Sequence, residues 1–171
     1  VLGLRSISYL LIFPQREGLL DKVLILENIG FMGVTMTKKA DKTSSWDAVK
    51  HAHNLDGDTA RLKTYYQSWA DQYDADVGNE RYSAPTYIAD LLNHLPSNDD
   101  TMVDPENPEI AILDAGCGTG LVGKELASLG YRRIDGCDLS PKMVEKAKKT
   151  GSYRSLRGNV DLRQRMDSYK D

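Results

Sequence analysis

The chain has 171 residues, 40% of them hydrophobic and 27% charged, which is the length and balance of one soluble globular domain. Its net charge of -3 at pH 7 argues against a protein whose main task is to bind nucleic acid. No apolar run approaches the roughly 20 residues of a membrane-spanning helix, because the longest near the start, Tyr9 to Phe13, is closed by Pro14.

Cys117 and Cys137 are the only cysteines. One lies in a glycine-rich loop and the other in a predicted strand, a pattern that fits reduced thiols in the cytoplasm, with the nucleus as the alternative, better than a disulfide framework. Charge is unevenly spread: from Lys124 to Arg165 there are 11 Lys and Arg against 5 Asp and Glu. Lys142, Lys146, Lys148 and Lys149 fall on one predicted helix, which reads first as a solvated face and second as a surface for an anionic acceptor.

The first residue is Val1, and up to Phe31 no capped or periodic element joins naturally to the rest of the chain. Residues 1–43 are therefore set apart as a poorly defined or non-native N-terminal segment, with Met32 or Met36 as alternative starts. Gly33 and Thr37 match the N-myristoylation pattern only loosely, so no membrane attachment is expected. A short helix is predicted from Trp46 to Leu55; its His51 and His53 are two apart, do not share a helical face, and imply no metal site. From Asp58 onward Leu62, Tyr66, Trp69, Tyr73 and Val77 recur at three- and four-residue intervals and predict one amphipathic helix. Tyr82 to Leu95 predicts another, with Ile88, Leu91, Leu92 and Leu95 on its apolar face, and Pro96 to Pro108 reads as an acidic loop. Residues 44–108 thus form a helical extension or lid with its linker.

Residues 109–171 change to a strand-helix alternation. Ile110 to Leu113 predicts a strand, Leu121 to Leu129 a helix ended by Gly130, and Ile134 to Cys137 a second strand. Ser140 is an N-cap with Pro141 at the first helical position, and that helix ends at Gly151. A third strand is predicted from Tyr153 to Arg157. The fold class is α/β: a β-α-β-α-β order with a parallel sheet, preceded by helices.

Between the first strand and its helix lies Asp114-Ala115-Gly116-Cys117-Gly118-Thr119-Gly120. Glycines at such a turn let the backbone approach a ligand, with the free N–H groups of the helix start facing it. Gly118 to Gly123 also reads GxGxxG, the dinucleotide pattern, so an NAD(P)-dependent oxidoreductase is one reading. Asp114 speaks against it, since a carboxylate beside a pyrophosphate is repelled whereas the ammonium and sulfonium of S-adenosylmethionine are attracted. Asp138, 22 residues beyond Gly116, suits a ribose in either nucleotide class, and Leu139 and Met143 supply apolar cover for an adenine.

ILDAGCGTG from Ile112 to Gly120, followed by GCDLSPKMVEKAK from Gly136 to Lys148, resembles the first two motifs of class I S-adenosylmethionine-dependent methyltransferases. YYQSWADQYDADV from Tyr65 to Val77 and YSAP from Tyr82 to Pro85 resemble the methyltransferase-like family of the Williams-Beuren chromosomal region, so that the joint pattern covers about Asp47 to Leu162. The resemblance implies a Rossmann-like core that binds S-adenosylmethionine. Gly116, Gly118 and Gly120 would line its methionine and ribose side, with Asp114 near the amino group and Asp138 on the ribose. The adenine contact after the third strand would fall on Asn159, or on Asp161 two residues later. Tyr73 and Tyr82, with Tyr65, would cap the cofactor, although Trp69 and Tyr73 also read as packing residues. Cys117 contributes backbone; Cys137 and His94 read as fillers.

The resemblance also implies a larger sheet whose later strands carry most of the acceptor site. This chain is therefore expected to be an incomplete, inactive cofactor-binding part of a methyltransferase, with the second edge of its first strand unpaired. A non-catalytic short isoform is the competing expectation. The methyl acceptor is a small molecule, a protein or an RNA, and no membrane or metal partner is expected.

Overall fold

The computed structural model describes residues 7–14, 22–27, 48, 51, 55, 58–79, 82–94, 104–107 and 110–164. Most of the predicted Trp46–Leu55 helix, His53, Leu95, most of the Pro96–Pro108 loop, and the Met32, Gly33, Met36 and Thr37 positions lie outside them.

A five-stranded sheet has the order β2-β1-β3-β4-β5, with β1 at Ile7–Pro14, β2 at Lys22–Glu27, β3 at Ile110–Ala115, β4 at Ile134–Cys137 and β5 at Ser155–Arg157. β3, β4 and β5 run parallel, joined by α4 (Leu121–Ser128) and α5 (Pro141–Lys149), which is the predicted β-α-β-α-β unit. Ahead of it stand α1 (Thr59–Trp69), α2 (Tyr73–Asn79) and α3 (Ala84–Asn93).

The N-terminal part departs from expectation. β1 and β2 pair antiparallel, and β1 lies antiparallel along β3 with Tyr9 opposite Ala115 and Pro14 opposite Ile110. The second edge of β3 is therefore paired. Strand pairing is made by backbone groups, so an apolar run such as Tyr9 to Phe13, which has no helical period, can satisfy an edge from a distant part of the sequence.

Local rules account for the parallel unit. Ser140 caps α5 by accepting from the Met143 amide at 3.3 Å, Pro141 opens the helix, and Gly151 stands just past its end at φ 69°. α4 is closed by Gly130 at φ 108°. One face of the sheet buries Ile112 and Ile134 against Ile88, Ala89 and Leu92 of α3 and Leu126 of α4. The opposite face carries Leu113, Ala115 and Cys137, with Val160 and Leu162 packed on them. Alternation along β3 therefore puts Asp114 on the side of Ile112 and the helices.

The stripe from Leu62 to Val77 is not one helix. The chain turns at Ala70 to Gln72, where the Gln72 amide bonds to Trp69 O at 3.0 Å, and Trp69 Nε1 reaches across the turn to Asp76 at 2.7 Å. Apolar spacing survives such a turn because both halves bury the same side, as buried Trp69 and Val77 do. The Asp58 side chain caps α1 by accepting from the Arg61 amide at 3.0 Å. β5 begins at Ser155, so Tyr153 precedes the strand instead of opening it.

Candidate cofactor site

The end of β3 carries Asp114 into the interior, where it is 2% exposed. The chain then turns. Amides of Gly116 and Cys117 both donate to Cys137 O, at 2.8 and 3.0 Å, so the loop leaves β3 clamped to the end of β4. Gly118 and Gly120 hold φ of 53° and 93°, conformations that cost a residue with a Cβ, and a Cβ at Gly118 would meet nothing within 4 Å. The loop backbone at Gly118 thus borders open space, as a ligand cradle requires.

Asp138, just past β4, organises this loop. Its Oδ2 accepts from the Gly118 amide at 2.9 Å and its Oδ1 from the Ser140 amide at 2.7 Å, so one carboxylate ties the glycine turn to the start of α5. Burial raises its pKa above the usual carboxylate value, against the lowering effect of these amides. Asp114 is pushed up to about 6: burial raises it most, the Tyr153 hydrogen bond lowers it, and the Asp138 charge raises it again. Among the described residues, no Lys, Arg or His pairs with either carboxylate.

Tyr153, which the sequence placed only in a strand, is part of the site. Its hydroxyl donates to Asp114 Oδ2 at 2.7 Å and accepts from the Gly123 amide at 3.1 Å. A Cβ at Gly123 would overlap the end of the Tyr153 ring, and one at Gly136 would come within 2.9 Å of it. The final glycine of the GxGxxG match is thus occupied by an aromatic neighbour, a requirement independent of any dinucleotide. The only sequence signal is an unexplained small residue.

The helices ahead of the sheet unit dock on it through polar contacts. Thr119, 3% exposed, donates to Asp74 Oδ1 at 2.5 Å, and Asp71 pairs with Lys142 at 2.9 Å and Lys146 at 2.8 Å. Two of the four lysines on α5 therefore serve an internal contact. Thr59 of α1 also reaches Asp161 at 3.5 Å.

The other predicted residues are spread around this centre. Tyr73 meets Trp69 edge-on at 4.8 Å between ring centroids; burial, then the neighbouring Tyr82 and Tyr66, then the Asp138 and Asp74 charges, hold its phenol well above the ordinary value. Tyr82 is 41% exposed as a whole, but burial at its phenol end, followed by the Asp114 charge, raises its pKa, so each phenol feels the charge of one of the two carboxylates. Tyr65 donates to the Ala48 carbonyl at 2.8 Å instead. Leu139 is half-buried and Met143 fully buried. Asn159 is exposed at φ 61°, while Asp161, partly buried, is bonded by Arg163 and lowered below the usual carboxylate value. Cys117 is buried, and burial followed by the Asp114 and Asp138 charges drives its thiol far up, which keeps it neutral and un-nucleophilic. Cys137 is buried and in no disulfide, and His94 is an exposed residue at the end of α3.

No helix among the described residues is long and apolar enough to cross a membrane. Residues 112–168 match the family model described as a methyltransferase domain. The chain is also similar to Methyltransferase-like protein 27 of Homo sapiens, 39% identical over 109 residues, an alignment that covers 63% of this chain and 41% of that protein. The chain therefore spans less than half the length of that relative. The family match lies on the β3-α4-β4-α5-β5 unit and its glycine loop, so the part of the chain that carries the candidate site is the part similar to a methyltransferase domain.

Proposed function

We propose that the glycine loop binds S-adenosylmethionine and that the whole protein transfers its methyl group to an acceptor. The observation that carries this reading is the pair of carboxylates, Asp114 and Asp138, flanking an open glycine turn without a cationic partner among the described residues. Such a site attracts a cationic ligand and repels a pyrophosphate.

On this reading Asp114 holds the ammonium of the cofactor. Asp138, whose carboxylate accepts the Gly118 and Ser140 amides and also feels that of Leu139, has lone pairs that can serve the ribose hydroxyls. Gly116, Cys117, Gly118 and Gly120 line the methionine and ribose side with backbone alone, Leu139, Met143 and Asn159 belong to the adenine side, and Tyr73 and Tyr82 cover the site from the lid. When bound, the cofactor supplies an already activated methyl group, so the protein's work is to hold it, exclude water and align an acceptor. A small molecule, a protein and an RNA all remain within the proposal as acceptors. Two cysteines outside any disulfide fit a cytoplasmic setting.

Calorimetry on the chain with S-adenosylhomocysteine and with NAD tests the reading. Micromolar binding of the former with none of the latter is expected, and tighter binding of NAD overturns it.

A further inference from the structure

The hydroxyl of Tyr153 stands between two groups of opposite polarity. On one side is the Gly123 amide, in the first turn of α4; on the other is the buried carboxylate of Asp114. Helix α4 begins after Gly120, which has no side chain to cap it, so one of its free amides is satisfied by a tyrosine arriving from ahead of β5. The phenol proton is then left to point at Asp114. The ring reaches this position through a slot of small residues, since a Cβ at Gly120 would lie 3.1 Å from it and a Cβ at Gly123 or Gly136 would collide with it.

We infer that Tyr153 is a positioning residue for the cofactor: held by the Gly123 amide, its hydroxyl fixes the Asp114 carboxylate in the orientation that receives the ligand's ammonium group. This rests on the cofactor reading given above. Asp114 is faced by Tyr153, by Asp138 beyond β4, by Cys117 in the loop, by Tyr82 ahead of α3 and by the Gly123 amide of α4. Of these, only Tyr153 brings a side-chain donor to the carboxylate, and it is neutral. A neutral donor orients an anion without cancelling its charge, leaving that charge for a cationic ligand. A lysine or arginine at this place would have satisfied Asp114 permanently.

The test is Tyr153→Phe, which keeps the ring in its glycine slot and removes only the hydroxyl. Binding of S-adenosylhomocysteine, which carries the ammonium group, is compared with binding of 5′-methylthioadenosine, which lacks it, and the Asp114 carboxyl is titrated by carbon NMR without ligand. The variant is expected to lose about tenfold in affinity for S-adenosylhomocysteine and less than about twofold for methylthioadenosine. Its Asp114 is expected to titrate at higher pH than in the parent, because a hydrogen bond to the charged form is gone. Equal losses for both ligands, or an unmoved Asp114 titration, make Tyr153 a packing residue and overturn the inference while leaving the cofactor reading intact. A parent chain that binds neither ligand overturns the cofactor reading, and the inference with it.

Discussion

Thr119 donates its hydroxyl to Asp74 at 2.5 Å, joining the glycine loop to helix α2 across 45 positions of sequence. Thr119 is almost fully buried, so this bond couples α2 directly to the glycine turn. A hydrogen bond to a charged group contributes about 1.5–3 kcal/mol. Asp74→Ala is expected to accelerate amide exchange in Tyr73–Asn79 and to weaken S-adenosylhomocysteine binding severalfold. Unchanged exchange in α2 would show that the helix is held by its apolar face alone.

The second tether behaves differently because it is exposed. Lys146 and Lys142 hydrogen-bond Asp71 and hold its carboxyl down at about 2. An acid whose folded pKa is depressed stabilises above its unfolded value and loses that contribution as pH falls through the folded one. The tether is therefore expected to persist from neutral pH to about 4, to be lost between about 4 and 2, and to weaken in molar salt. Exchange rates in α1 and α2 measured against salt check this. Asp71→Ala also frees two lysines on α5 and is expected to increase retention on a polyanion column.

Asp114 carries the opposite sign. Its pKa is raised to about 6 from 3.8, so the folded state binds the proton more tightly and stability falls as pH rises from about 4 to 6. A shift of about two units corresponds to roughly 3 kcal/mol at most. Asp114→Asn is expected to be more stable than the parent at pH 7 by up to about that amount, to lose the pH dependence, and to lose cofactor affinity. Urea titrations at several pH values measure the first two effects; an Asn variant less stable at pH 7 would contradict the sign.

Gly123→Ala places a methyl group against the Tyr153 ring. Overpacking of this kind costs about 1–3 kcal/mol. The substitution is expected to lower the thermal midpoint, and adding Tyr153→Ala should recover part of the loss, a coupling readable in a double-mutant cycle. Additive losses would mean that the ring does not occupy the slot.

Much of the candidate site was legible because its signals are local. Ser140-Pro141 caps and opens α5 within a single turn, and Gly118 and Gly120 take the positive φ that their residue type permits. Asp114 and Asp138 stand at the ends of strands whose apolar pattern is short but plain. The break at Ala70 to Gln72 was not legible, since the stripe keeps its spacing through the turn. Nor did four lysines on one helix reveal that two of them face Asp71, a residue 71 positions before Lys142.

By itself the sequence determined the β-α-β-α-β order, the glycine turn and the two acidic strand ends, because backbone preference, capping and periodicity act between residues a few positions apart. Only the tertiary structure decided that β1 lies along β3, that Asp74 holds Thr119, and that Tyr153 fills the space at Gly123 to reach Asp114. Those choices belong to segments far apart in the chain. Backbone edges, hydroxyls and carboxylates can each accept many partners, and which one they take is set by the packing that brings two surfaces together.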